Sequence, residues 1–478
     1  MKQYLTIVLL MLASCHAFAQ DHTFLSDQGH ERLLQIYQSP EADFIELITG
    51  NSKATAEEEY LRLYNLFIAF QVNERTLYAN SFHKGLSHFE TSFETNAHVG
   101  LMHTTLLIQQ SLLFWNQDKT SEGARSLYKA HRLFRKLNKD DYPYDYLKLQ
   151  SVFNIFLSQI PAQFQFLASL FGLEGDMEEG FDQLNTYVIN TSQQSAINYE
   201  AMVLHAYCLL KFGRPDIKRV QLLMEQSLNS QSPLLNFIVA SLSVKNRMSD
   251  EGINYISEID KKTITSFPLL YYMKGRLLLN QLKPGSITML QQFDSIYQGH
   301  SFRTDALMRQ AWYYHLEEEV EMRDSLMIRV NKQYKLPTSN DKQAKKEIAS
   351  LPNTPACLLK VRLLFDGGNF DKAYQVLRSA PPESMASYNV AEYYYRLGRI
   401  NTELGRYNEA TACFDKTIEL SHDNTRYFGP YAAIEAAKIM LMLKDTIAAR
   451  TYLEKARHLN NGEYQQDISR SISSLLNE

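Results

Sequence analysis

The chain has 478 residues, of which 45% are hydrophobic and 21% are charged, and its formal net charge is −4. Its 19 glycines and 13 prolines are too few for the many turns of a strand-rich protein of this length, so the composition favours helices. Acidic and basic residues are spread along the chain without a basic stripe, which argues against nucleic acid as a partner.

The first segment in chain order, residues 1–19, is predicted to be a signal peptide. Lys2 supplies a positive charge, residues 4–14 are mostly apolar, and residues 17–19 (AFA) are typical of a cleavage site. We therefore expect an exported protein that is periplasmic or associated with the cell envelope. The alternative is a lipid anchor in the outer membrane, because residues 12–15 (LASC) resemble a bacterial lipobox that would lipidate Cys15. No other membrane contact is expected, since no later apolar run reaches ~18 residues.

Residues 20–330 are predicted to form a degenerate helical-repeat region. Apolar and small residues recur at three- or four-residue steps within residues 63–68 and 124–134, which is the spacing of one helix face. Gly275 lies within an apolar helical stretch, at a position where a second helix would pack closely. Residues 331–355 contain Pro337, Pro352 and Pro355 around a polar middle, and this composition predicts a linker-like segment.

Residues 356–478 are predicted to hold regular repeats. With Tyr394 as position 4 of a unit, Gly398 falls at position 8, Gly405 at the turn, Ala410 at position 20 and Phe414 at position 24. This spacing of small and bulky residues lets two antiparallel helices pack closely, and it resembles the tetratricopeptide repeat.

Looser units precede and follow this repeat, with Gly368 and Lys444 at their turns. Three consecutive units are about the minimum that buries a shared core. The resemblance implies an all-α fold, namely a tetratricopeptide-type helical-hairpin solenoid wound as a right-handed superhelix.

A second resemblance rests on residues 160–184. It is carried by Ile160-Pro161, Phe164, Leu167, Leu170-Phe171-Gly172-Leu173-Glu174-Gly175-Asp176, Glu179-Gly180-Phe181 and Leu184. The stretch resembles a region of the tetratricopeptide-39-like family, which includes the fungal inclusion-body clearance protein, although Met177 stands where that family has Arg. The resemblance implies a helical-repeat adaptor without catalytic residues. The residue types by themselves predict a structural role for this stretch: Gly172 ends one helix and Asp176 caps the next.

Catalytic and metal-binding motifs are not found in the sequence. His83, His88, His98 and His103 are five or ten residues apart, whereas a helical zinc site uses two His at i and i+4. The cysteines after Cys15 are far apart and lie in apolar patterns, so free buried thiols are expected. We therefore expect no enzyme activity, no metal site and no cofactor.

The partner is expected to be another protein or a peptide. In tetratricopeptide proteins the first helix of each unit lines the concave surface, which is the usual partner site. The predicted register places seven residues there: Tyr395, Arg399, Thr402, Tyr431, Ile434, Lys438 and Leu441. The expected function is that of a non-catalytic scaffold or adaptor in the bacterial cell envelope. The alternative is an outer-membrane-associated lipoprotein that binds a small ligand, such as a glycan.

Overall fold

The computed structural model describes residues 23–40, 44–51, 53–94, 96–160, 169, 172–191, 195–213, 216–228, 230–421 and 426–476. Regular structure in these residues is entirely helical, with 25 α-helices and two 3₁₀ helices. None of the helices described is both long enough and apolar enough to cross a membrane. The predicted signal peptide with Cys15, and residues 161–168, 170 and 171 of the second resemblance, lie outside the described residues.

The chain divides into two compact units. The first comprises the described residues of Met1–Asn246, Tyr255–Leu270 and Tyr297–His300, and the second those of Arg247–Asn254, Tyr271–Ile296 and Ser301–Glu478. The division therefore falls outside residues 331–355, where the sequence predicts a linker.

The first unit contains the following helices: α1 (Asp27–Gln38), α2 (Phe44–Thr49), α3 (Ala56–Asn73), α4 (Thr76–Ser92), α5 (Ala97–Asn116), α6 (Thr120–Phe134), α7 (Pro143–Leu157), α8 (Met177–Thr191), α9 (Ser195–Lys211), α10 (Ile217–Ser227), α11 (Pro233–Lys245) and α13 (Lys261–Ser266). Helices α3 and α4 pair as a hairpin, as do α5 and α6, and α7 packs against α8. Helices α12 (Ser249–Glu258) and α14 (Leu269–Asn280) contain residues of both units.

The second unit contains the remaining helices: α15 (Ser286–Ile296), α16 (Arg303–Leu316), α17 (Val320–Lys332), α18 (Ser339–Glu347), α19 (Ala356–Asp366), α20 (Phe370–Arg378), α21 (Ser387–Glu403), α22 (Tyr407–Glu419), α23 (Phe428–Met442), α24 (Thr446–Leu459) and α25 (Gln465–Leu476). Its hairpins are α16–α17, α19–α20, α21–α22 and α23–α24. The all-α fold is therefore confirmed for the described residues.

The turns within these hairpins share one backbone geometry. Gly368, Gly405 and Lys444, the three predicted turn residues, have φ of 82°, 73° and 63°. In each turn the next N–H donates to a carbonyl five residues earlier, as Arg406 does to Asn401 over 2.8 Å. This bond ends the first helix, and the second helix starts two residues after the left-handed residue.

Small residues allow the paired helices to approach closely, as the sequence predicts. A methyl group added to Gly398 would lie 2.5 Å from the Phe414 ring on the opposite helix of the hairpin. At Gly275 the same addition would meet Leu290 at 2.8 Å. Gly398 and Phe414 therefore set the separation of α21 and α22.

Residues 331–355 form packed helical structure in the second unit rather than an open linker. Thr338 and Asp341 form a capping box at the start of α18, and a 3₁₀ helix, Ile348–Asn353, follows directly. Ala344, Ile348 and Leu351 are buried in a core cluster that α16 and α19 also supply. Two prolines of this segment lie at or near helix ends. Pro352 is the second-last residue of the 3₁₀ helix, and Pro355 is the N-cap of α19.

Asp176 caps the next helix as predicted, and Gly172 has the left-handed backbone of a helix-ending glycine, although the helix that it is predicted to end lies largely outside the described residues. Gly172 has φ of 66°, and the Asp176 carboxylate accepts a hydrogen bond from the Glu179 N–H over 2.9 Å at the start of α8. These contacts explain the glycine and the acid without a ligand.

A cluster of charged and aromatic side chains is buried in the first unit. The Lys148 ammonium donates to Asp145 and to Glu200, over 3.0 Å in each case. The Tyr64 and Tyr187 hydroxyls donate to Glu200 over 3.1 and 3.3 Å. Burial raises the pKa of Asp145, and the charge of Lys148 opposes that shift. Two buried carboxylates thus share one cation, so the cluster depends on Lys148.

The first described residues complete this cluster. The Phe24 N–H donates to Asp145 over 3.1 Å, and the Phe24 ring packs edge-on against Tyr60 with 5.3 Å between centroids. His98 Nε2 lies 2.7 Å from the Phe24 carbonyl oxygen. The segment that follows the predicted signal peptide is therefore part of the first unit's core.

Replacing Gly398 with alanine should lower the free energy of unfolding of the second unit by about 1–3 kcal/mol, because the new methyl group overlaps the Phe414 ring. Hydrogen exchange of amides in α21 and α22 measures this loss, with amides of the first unit as an internal reference. Asn408→Ala, at an exposed position on α22, is the matched control and should not destabilise the unit. Unchanged exchange in the Gly398 variant would contradict this close packing.

Replacing Lys148 with methionine should lower the free energy of unfolding of the first unit by about 3–5 kcal/mol at pH 7, because Asp145 and Glu200 lose their cation. The loss should shrink towards pH 5. Without Lys148 the folded-state pKa of Asp145 rises further above its unfolded value, and such a carboxyl destabilises the fold only as it ionises with rising pH.

Hydrogen exchange of α7 and α9 amides at both pH values measures this pH dependence. Lys139→Met, at an exposed position of the same unit, should change stability by less than about 0.5 kcal/mol. Equal losses at the two pH values in the Lys148 variant would show that the buried carboxylates are not its cause.

Candidate functional site

The first helices of the second unit's hairpins lie side by side. Helix α16 packs against α19, α19 against α21, and α21 against α23. A pocket of about 480 Å³ opens on the face that these helices share. Its lining residues are Trp312, Lys346, Glu347, Ala349, Ser350, Leu351, Thr354, Leu359, Arg362, Glu392, Arg396, Arg426, Tyr427, Phe428, Glu463 and Tyr464.

Two of the seven predicted partner-binding residues are in the core instead. Tyr395 is 6% exposed and Ile434 is 1% exposed. The centroids of the Tyr395 and Phe428 rings are 5.4 Å apart. Burial raises the pKa of Tyr395 above its ordinary value. These two side chains belong to one hydrophobic core cluster together with residues of α22, α24 and α25.

The other five predicted residues are at least partly exposed, and none of them lines the pocket. The Arg399 guanidinium stacks 4.1 Å from the centre of the Phe365 ring. The Thr402 hydroxyl donates to the Gly398 carbonyl over 3.0 Å. Lys438 pairs with Glu435 over 2.8 Å, and Tyr431 and Leu441 are half-buried.

One side of the pocket is a guanidinium stacked on an indole ring. Arg362, on α19, lies 4.8 Å from the centre of the Trp312 ring. Its two terminal nitrogens donate to the two Glu347 oxygens, over 2.9 and 3.4 Å. Burial alone would lower the pKa of Arg362, but the charge of Glu347 raises it above the ordinary value. The guanidinium is therefore charged at any physiological pH, and its side chain is 26% exposed.

A buried glutamate holds two further arginines at the pocket. Glu392 and Arg396 are one turn apart on α21, and Arg396 Nε donates to Glu392 over 2.8 Å. Arg426, just before α23, donates to the other Glu392 oxygen over 3.3 Å. Glu392 is 3% exposed, whereas the Arg426 side chain is 30% exposed. The glutamate thus fixes one guanidinium in the wall and a second at the opening.

The opposite side of the pocket is aromatic. Tyr427 and Tyr464 meet edge to face, with 5.4 Å between ring centroids. The exposed Lys346 ammonium lies 5.6 Å from the centre of the Tyr464 ring, and the Tyr427 N–H donates to Glu463 over 3.4 Å. This side offers apolar ring surface beside a cation.

The charges lining the pocket sum to a small positive value. Among the described residues that line the pocket, Lys346, Arg362, Arg396 and Arg426 give four positive charges, and Glu347, Glu392 and Glu463 give three negative ones, a difference of +1. The whole chain carries −4. The described lining therefore carries a net positive charge although the whole chain is negative, which favours an anionic ligand group.

The histidines predicted not to bind metal have separate environments. His83 stacks on Phe114 with 4.4 Å between ring centroids, and burial lowers the pKa of His83 to about 4. His103 lies 3.0 Å from Glu90. Among the residues that the structure describes, no group of three or more His, Cys, Asp or Glu side chains could hold a metal ion.

The pocket residues could have been found from the sequence only with a corrected register. Glu392 and Arg396 lie on the same helix as the predicted Tyr395 and Arg399. A shift of one residue turns the helix by about 100°, which moves Arg396 into the pocket and Tyr395 into the core. The sequence feature that indicates these pocket residues is the Glu-x-x-x-Arg spacing of Glu392 and Arg396 within the first helix of a hairpin.

Comparisons with known proteins identify the repeat and leave the rest of the chain unassigned. Residues 391–424 match the tetratricopeptide repeat family, which is the unit predicted from Tyr394. No curated protein matches the chain.

Several solved structures are similar over most of the chain. The Cut9–Hcn1 hetero-tetramer of the APC/C is 11% identical, with 95% of this chain and 97% of that chain covered and a TM-score of 0.26. The P58(IPK) tetratricopeptide domain is 15% identical, with 89% and 98% covered and a TM-score of 0.22. Human IFIT1, a dimer with m7Gppp-AAAA, is 11% identical, with 93% and 97% covered and a TM-score of 0.29.

The matched repeat and the shared turn geometry make this a tetratricopeptide-type helical-hairpin fold. The more specific resemblance to the tetratricopeptide-39-like family stays a prediction.

Replacing Glu392 with glutamine should lower the free energy of unfolding of the second unit by about 1.5–3 kcal/mol, because Arg396 and Arg426 lose a charged acceptor. Hydrogen exchange of α21 and α23 amides measures the loss. The matched control is Glu403→Gln on the same helix, where the pair with Arg247 is about one-third exposed on both sides. That control should cost less than about 1 kcal/mol. Equal effects of the two substitutions would contradict the anchoring role of Glu392.

Proposed function

We propose that this protein is a non-catalytic scaffold or adaptor of the cell envelope, and that the second unit's pocket binds a peptide segment of a protein partner. The observation that carries the proposal is the pocket itself, which consecutive first helices line with arginines and aromatic rings. Its volume of about 480 Å³ lies in the range of ordinary ligand pockets, roughly 300–1,000 Å³. Tetratricopeptide repeats commonly bind proteins or peptides.

The chemistry of the pocket suits recognition better than catalysis. Arg362 and Arg396 are held by glutamates, so these pairs present fixed donors rather than an acid and base near neutral pH. Arg and aromatic residues are enriched where interfaces gain most of their binding energy. An extended peptide can place alternate side chains into such a pocket.

Site-specific photo-crosslinking in cells tests the peptide-binding proposal. A photo-crosslinking amino acid at Ala349, which is exposed and lines the pocket, should give one reproducible polypeptide adduct. The same amino acid at Lys342, exposed but outside the pocket lining, should not give that adduct. The adduct should also be lost when Arg426 is changed to Glu, which reverses a charge at the opening. Adducts that are equal at the two positions would contradict a specific site.

The envelope setting rests on the predicted signal peptide and has its own test. Mass spectrometry of the mature N-terminus in fractionated cells should show a start at Gln20 or Asp21, or a lipidated Cys15 in the membrane fraction. A full-length chain in the cytoplasmic fraction would contradict export while leaving the peptide site untouched.

A further inference from the structure

Resting on the proposed peptide site, we infer that the pocket recognises an acidic side chain of the partner, and that Glu347 occupies the Arg362 recognition position as an internal substitute for that side chain. An incoming carboxylate then competes with Glu347 for the guanidinium. The partner class is an acidic peptide, and Glu347 sets how strongly it binds.

The first support is the donor surplus of the pocket. Arg362 and Arg396 carry roughly five N–H donors each, whereas Glu347 and Glu392, which pair with them, offer roughly four lone-pair sites each. Both glutamates already accept from arginines. A basic ligand would have to break those bonds, whereas an acidic ligand adds acceptors to a pocket with a net charge of +1.

The second support is the geometry of the Glu347–Arg362 pair. The two carboxylate oxygens accept from the two terminal guanidinium nitrogens, which is the fork arrangement that arginine also offers to a ligand carboxylate. The second of these bonds, at 3.4 Å, is long. The Arg362 guanidinium also lies over the Trp312 ring, 4.8 Å from the ring centre. A carboxylate arriving from the pocket would therefore meet an arginine that is already oriented.

The third support is the difference in enclosure between the two glutamates. Glu392 is 3% exposed and holds two arginines, so it is part of the wall. The Glu347 side chain is 16% exposed and lies at the end of α18, where the helix passes into the 3₁₀ helix. Glu347 accepts from Arg362 and from the neutral Gln343 side chain, whereas Glu392 accepts from two arginines. Turning Glu347 into solvent therefore separates it from one cation and not two.

Fluorescence anisotropy with the full-length protein tests the inference. The probes are four labelled peptides of one sequence that carries two adjacent variable positions and one tyrosine. Three have amidated C-termini and carry Glu-Glu, Gln-Gln or Lys-Lys at the variable positions. The fourth carries Gln-Gln with a free C-terminal carboxylate, which separates side-chain recognition from terminal recognition.

Two adjacent substitutions should act in opposite directions on the Glu-Glu peptide. Glu347→Gln removes the competing charge and should strengthen its binding by about tenfold, whereas Lys346→Glu adds a negative charge and should weaken it by about tenfold. Lys342→Glu, at an exposed position of the same helix outside the pocket, should change binding by less than about twofold. The Gln-Gln amide should bind weakly to every variant.

The results show whether the acid-recognition inference fails by itself or the proposed peptide-binding function fails with it. If Glu347→Gln fails to strengthen binding of the Glu-Glu peptide, the competition is overturned. If the Lys-Lys peptide, or only the free C-terminal carboxylate, binds best, side-chain acid recognition is overturned. In both cases the adduct at Ala349 would still support a peptide site. If none of the peptides binds and that adduct is also absent, the proposed function itself fails.

Discussion

The left-handed residue between the two helices of each hairpin is the constraint on which the second unit depends. Gly368, Gly405 and Lys444 adopt it, and Glu318 does so between α16 and α17, with φ of 61°. The turn aims each second helix back along the first, and the bond to the carbonyl five residues earlier fixes the register of the pair. With the register fixed in the hairpin of α21 and α22, Gly398 lies seven positions before Gly405 and faces Phe414 on the partner helix.

Glycine at the turn made part of this pattern visible in the sequence. Gly405, Gly398, Ala410 and Phe414 together predicted the unit that matches the repeat family. The hairpin of α16 and α17 uses Glu318 at its turn, and the hairpin of α5 and α6 uses Asp118, with φ of 58°. An L-residue in this conformation costs roughly 1–2 kcal/mol and lacks the direct signal of a turn glycine. The packing around these turns compensates that cost. The earlier hairpins therefore have the same turn geometry as the later ones, although their sequences match the repeat pattern poorly.

The predicted linker fails for a related reason. Proline and polar residues are common both in open linkers and at helix ends. What decides between them is tertiary: the Asp341 carboxylate accepts from the Thr304 and Asp305 backbone N–H groups, over 2.9 and 3.1 Å, at the start of α16. A contact between residues so far apart in sequence cannot be read from local composition. The same packed segment brings Glu347 to Arg362, so the pocket could not be predicted while the segment was treated as a linker.

The burial of charged side chains distinguishes the Lys148 cluster of the first unit from the pocket of the second unit. In the first unit Lys148 and its two carboxylates are all almost fully buried, and the hydroxyls and backbone N–H around them complete their bonding. A ligand could gain nothing there without opening the core. In the pocket the Arg362 and Arg426 side chains are 26% and 30% exposed, while the glutamates that hold them are more enclosed than the arginines. The acids are thus the supporting groups and the cations are the groups presented to solvent, which is the arrangement that a binding site for an anion requires.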